Sequence, residues 1–98
     1  MTRDRILTLL QQHANALKDI GIARIGLFGS YSRNQATKTS DIDLVLEFLP
    51  GKKNFDTYMQ ACRLLESLFD IPLDIVTKES ISPYLLPSIE REVIYESA

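Results

Sequence analysis

Between Gly26 and Phe48 the chain reads GLFGSYSRNQATKTSDIDLVLEF, and this stretch narrows the possible folds more than any other. Ile22, Ile25, Leu27 and Phe28 predict a first strand over 22–28 that runs into Gly29-Ser30. A largely polar segment of ten residues follows, and a second strand opens with Asp41-Ile42-Asp43. Side chains two apart on a strand share a face, so Asp41 and Asp43 project together. Ile42, Leu44, Leu46 and Phe48 then line the opposite face, as a core requires. Two neighbouring carboxylates repel each other unless a cation lies between them. The pair therefore reads as a hard-metal site. Mg²⁺ is the first choice, because it is held by one or two carboxylates and completes its shell with water and substrate phosphate.

Gly29-Ser30 supplies the complementary half. Gly29 permits a tight turn and close approach of the backbone to a ligand. Ser30 is placed to start a short helix over 30–36, with its hydroxyl and first N–H groups available to an anion. Arg33 lies three residues on, within reach of phosphate or of a motif aspartate. Alone, Gly-Ser is an ordinary turn, Asp-x-Asp occurs at many strand starts and Arg33 is a solvated surface residue. Their combination in one β-turn-β unit suggests a nucleoside triphosphate with its metal.

A third apolar run, Ile71 to Thr77, is interrupted by Asp74. An ionised carboxylate in an apolar strand is costly unless it is paired, bound to metal or turned to water. If this strand lies beside the second, Asp74 joins Asp41 and Asp43; on an edge strand it faces solvent.

The set Gly29-Ser30, ten residues, Asp41-x-Asp43, then Asp74 resembles the signature of the polymerase-β-type nucleotidyltransferase superfamily. The length and wording (LFGSYSR…SDIDLVLEF) look most like its smallest members, the minimal nucleotidyltransferase or MNT domains. The resemblance spans nearly the whole chain, although only those residues are diagnostic. It implies that Gly29 and Ser30 grip the nucleotide phosphates, with Arg33 helping. It further implies that Asp41, Asp43 and Asp74 are the catalytic metal ligands, holding Mg²⁺ (two ions) with ATP as substrate. The family usually shows Arg-Gly where this chain has Arg33-Asn34; asparagine tolerates positive φ better than most residues.

The remaining pattern supplies a small α/β (α+β) domain. Residues 3–20 read as one amphipathic helix on Ile6, Leu9, Leu10, His13, Leu17 and Ile20, capped by Thr2 and stopped by Gly21. His13 reads as an edge-of-stripe residue rather than a ligand. Pro50-Gly51 marks a turn tipped by Lys52 and Lys53, and Asn54 caps a helix over 55–69. Its apolar face is Phe55, Tyr58, Met59, Cys62, Leu65 and Phe69. Cys62 in that stripe reads as a buried thiol. Near the end, Ser82-Pro83 starts a short helix, Pro87 breaks it, and Ile89, Val93 and Ile94 begin a final amphipathic segment. IEREVIYES resembles the closing helix of MNT domains. The expected fold is a mixed three-stranded sheet flanked by helices, in the order αβαβαβα, with residues 1–98 as a single domain.

The totals restrict function. A net charge of −2 argues against tight unassisted binding to nucleic acid, which draws on phosphate neutralisation by Lys and Arg. No signal peptide and no apolar run of about eighteen residues is present, so a cytoplasmic protein is expected. At 98 residues no added acceptor-binding domain is expected, so the acceptor is expected to be small or brought by another protein. In prokaryotes, the resemblance implies a HEPN-domain RNase toxin as partner, silenced by AMP transfer from ATP to one of its tyrosines. Two alternatives stay open: an antitoxin that neutralises by binding alone, and nucleotidyl transfer to a small-molecule hydroxyl such as that of an aminoglycoside.

Overall fold

The structure is a computed structural model and describes residues 1–97. Two helices, α1 (Arg3–Gln12) and α2 (Ala14–Ile20), lead into β1 (Ile22–Phe28). A single turn, α3 (Gly29–Ser32), and a loop connect to β2 (Ile42–Phe48). Helix α4 (Phe55–Leu68) crosses over to β3 (Leu73–Thr77), and a 3₁₀ turn (Lys78–Ser80) follows. Helix α5 (Leu86–Glu92) and β4 (Ile94–Ser97) complete the described chain.

The sheet order is β3-β2-β1-β4. β1 is antiparallel to β2 and to β4, while β2 and β3 are parallel, joined through α4 as a parallel pair requires. One face carries the core. Ile25, Leu27, Ile42, Leu44 and Leu46 meet Ile6, Leu10 and Leu17 from α1 and α2 and Ala61 and Leu65 from α4. The alternation of β2 puts Asp43 and Val45 on the other face. There Gly26 makes room: a Cβ on it would collide with Val93, Val45 and the Tyr95 ring. No described helix is long and apolar enough to cross a membrane.

Four expectations are corrected. The sheet has four strands, not three: the chain after Glu92 is extended rather than helical, and Ile94-Tyr95 pairs with Leu27-Gly26. Val93-Ile94-Tyr95 is β-branched and aromatic, and β1 offered it an open edge. Pro87 does not break a helix but sits in the first turn of α5, where its missing N–H has no intrahelical partner to lose. The single helix over 3–20 is divided at His13, whose backbone N–H and Nδ1 both bond the Leu9 carbonyl, at 3.2 and 2.9 Å. That side-chain competition disturbs the regular ladder. The helix over 30–36 shrinks to four residues because Asn34 adopts φ 57 and turns the chain away. Asparagine tolerates this left-handed conformation better than most residues.

In the α4 stripe Cys62, Leu65 and the capping Phe69 are buried and Tyr58 and Met59 partly so, but Phe55, its first residue, is 76% exposed. Asn54 caps the helix with a reciprocal Asn54–Thr57 capping box. Cys62 is a buried free thiol, its pKa raised by burial. Lys53 donates to Thr77, the last residue of β3, and to Glu79 just beyond it.

Adding a methyl at Gly26 forces a shift of β-sheet packing on a face with no slack. Gly26→Ala is expected to lower stability by about 1–3 kcal/mol, the usual cost of overpacking, measured by urea unfolding.

Candidate active site

β1 ends at Phe28, directly opposite Asp43 of β2. β3 runs parallel to β2 with Asp74 directly beside Asp43. The ends of three strands therefore bring the Gly-Ser turn, Asp43 and Asp74 to one edge of the sheet. Asp41 lies one residue before the start of β2 rather than within it, and is solvent-exposed, as is Asp74. Asp43 is half-buried between them.

Gly29 adopts φ 74, and a Cβ on it would strike the Asp43 carboxylate, with Cγ at 2.9 Å. The backbone turn and the carboxylate are packed against each other with no room for any other residue type. Ser32 Oγ bonds Gly29 O at 2.7 Å and tightens the turn. α3 is too short to carry a substantial dipole, so an anion here would depend on the turn's own N–H groups, the Ser30 hydroxyl and Arg33.

Burial raises the Asp43 pKa from 3.8 to about 6, helped by repulsion from Asp74 and Asp41, a proton shared toward Asp74 and the Glu92 charge. Mutual repulsion of hard oxygen donors is relieved by a cation, so the donor set fits a divalent metal such as Mg²⁺. The set is open: among the described residues no three His, Cys, Asp or Glu side chains converge into a ready-made metal cluster. Binding would draw them together with water and substrate oxygens.

Arg33 is half-exposed and donates from Nε to Gln35 Oε1 at 3.1 Å and from Nη1 to Glu92 Oε2. Glu92 Oε1 also accepts the Gly29 N–H at 2.9 Å. Sequence reasoning did not single out Glu92. Its partner in the turn is 63 positions away, and glutamate in a polar helix end carries no signal of its own. A concave surface of about 470 Å³ opens beside Tyr31, bounded by Thr37, Lys38 and Ile71; none of the three aspartates lines it.

Residues 10–96 match the model of the nucleotidyltransferase domain family. The chain belongs to that family. It is a nucleotidyltransferase of the minimal type, and its similarity to individual relatives runs from end to end. A Methanocaldococcus jannaschii protein, provisionally named a protein adenylyltransferase, is 38% identical over 97 residues, covering 96% of this chain and 97% of the relative. The protein adenylyltransferase MntA of Thermococcus cleftensis is 32% identical over 98 residues, covering 97% and 96%. A solved structure provisionally described as a minimal nucleotidyltransferase superposes with a TM-score of 0.72 at 28% identity, over 96% of this chain and 95% of that one. The toxin–antitoxin structure of MntA with HpeT, a Y104A mutant, superposes at 0.59 with 27% identity, over 98% of this chain and 72% of that one. These likenesses bear out the expected fold and enzyme class.

Because Asp43 holds its proton to a higher pH in the folded than in the unfolded chain, the folded state loses stability as pH rises from about 4 through 6. Asp43→Asn removes that loss. Its melting temperature is expected to exceed that of the wild type at pH 8, with the gap closing at pH 4, in thermal melts without divalent cation. Added Mg²⁺ is expected to raise the wild-type melting temperature and to have little effect on the variant.

Proposed function

We propose that this nucleotidyltransferase is an antitoxin that transfers AMP from ATP to a tyrosine hydroxyl of a HEPN-domain toxin, with Mg²⁺ as the metal. The observation that carries the reading is the placement of Asp74 directly beside Asp43, with Gly29 packed on Asp43 at the same sheet edge. A carboxylate group of this kind beside a Gly-Ser turn suits a metal–triphosphate. The resemblance to protein adenylyltransferases over nearly the full chain, and to a chain of the toxin–antitoxin structure of MntA with HpeT, supports a protein acceptor.

In this reading Ser30, the Gly29 turn and Arg33 hold the β- and γ-phosphates by hydrogen bonds and charge. Asp41, Asp43 and Asp74 would hold the metal. Bound Mg²⁺ would neutralise the phosphate charge and stabilise the attacking and leaving oxygens of an in-line displacement. Asp74, exposed at the sheet edge beside Asp43, takes the proton from the tyrosine hydroxyl. The phenolic oxygen forms a bond to the α-phosphorus as the bond to the bridging oxygen breaks, and pyrophosphate departs with that electron pair. Positioning and charge neutralisation supply most of the acceleration in such transfers.

Intact-mass spectrometry of the co-expressed toxin tests this directly. With the wild-type chain the toxin is expected to gain units of roughly 329 Da, the mass of one AMP residue left by such a transfer. With Asp41→Asn/Asp43→Asn it is expected to gain none and to stay toxic. Suppression of toxicity by both chains without added mass would instead establish a binding antitoxin. Labelling of hydroxyl-bearing small molecules in place of the toxin would move the acceptor to that class.

A further inference from the structure

Glu92 is the last residue of α5, and its side chain is only 21% exposed although it lies among acidic groups. Its two oxygens are both committed to the Gly29–Arg33 turn, one to the Gly29 N–H and one to Arg33 Nη1. Its charge adds to the repulsion on Asp43. A carboxylate beside a phosphate-binding turn repels the ligand the turn is built for. Its presence there calls for a compensating contribution.

That contribution lies in what the two bonds fix. Arginine carries five N–H donors in a rigid fork, so an acceptor on Nη1 orients the group without exhausting it. Gln35 on Nε and Glu92 on Nη1 together hold the guanidinium from two sides, leaving Nη2 uncommitted among the described residues. The other oxygen ties down the amide of Gly29, the residue whose φ of 74 lets Asp43 pack against the turn. Helix α5 packs on the α3 turn and continues into β4, so Glu92 links the turn to the fourth strand. Resting on the reading of Gly29, Ser30 and Arg33 as phosphate-binding, we infer that Glu92 is a positioning residue for nucleotide binding. It fixes the Gly29 turn and aims the Arg33 guanidinium at the triphosphate.

Wild type, Glu92→Ala and Glu92→Gln are compared in two measurements: calorimetric affinity for a non-hydrolysable ATP analogue with Mg²⁺, and amide hydrogen exchange at Gly29. Glu92→Ala is expected to weaken the analogue about tenfold or more, the loss of one charge-assisted bond's worth of preorganisation, and to speed Gly29 exchange. Glu92→Gln keeps an acceptor oxygen without the charge and is expected to recover part of the affinity. A purely structural residue would lower the melting temperature of both variants and leave the affinity of the folded protein unchanged. Unchanged or tighter binding by Glu92→Ala, with the wild type binding normally, overturns the inference alone. Tighter binding would make Glu92 a competitor for the phosphate site. Failure of the wild type to bind the analogue overturns the nucleotide reading itself, and the inference with it.

Discussion

The contact on which the site depends is that between the Cα of Gly29 and the carboxylate of Asp43. At this point the end of β1 and the start of β2 press together with no side chain between them. The absence of a Cβ lets a backbone turn and a carboxylate occupy neighbouring space. A ligand with phosphate oxygens and a bound cation can then touch both at once. The same closeness partly buries Asp43 and raises its pKa. The site thus holds in reserve an electrostatic repulsion that a cation would relieve.

The sheet topology then decides which other residues reach that contact. Parallel pairing of β2 with β3 sets Asp74 abreast of Asp43, and the α4 crossover fixes the register. Burying Ile42, Leu44 and Leu46 leaves Asp43 no choice of face, because a one-residue slip would place the whole apolar set in water. Core packing and site geometry are therefore one constraint. On the opposite flank of β1, β4 covers the edge. Arg24 stacks over the Tyr95 ring at 3.6 Å and bonds Glu47 at 2.6 Å, which fastens β4 and β2 to the same strand. The short return through α5 brings Glu92 to the turn.

Much of this was legible in the chain itself. The Gly29-Ser30 and Asp41-x-Asp43 spacing, the interruption of an apolar strand by Asp74, and the capping signals at Thr2, Gly21 and Asn54 depend on local chemistry. Local chemistry was sufficient to locate them. Asn34 falls in the same class: its tolerance of positive φ was readable, and it adopts φ 57. The misread segments are those in which local preference was balanced and a distant partner decided. The chain after Glu92 could be helix or strand until the open edge of β1 accepted it. Pro87 could stop or start a helix until its neighbours settled the matter.

The sequence by itself determined the identity and spacing of the candidate site residues, and with them the resemblance to the family, because strand periodicity and turn chemistry act over a few residues. Only the tertiary structure decided that Asp74 stands beside Asp43, that Asp41 falls just outside the strand, and that Glu92 closes on the Gly29–Arg33 turn. Each of these rests on contacts between elements far apart in the chain. Strand register and helix docking follow from burying apolar surface across the whole molecule, and no local pattern of residues encodes them.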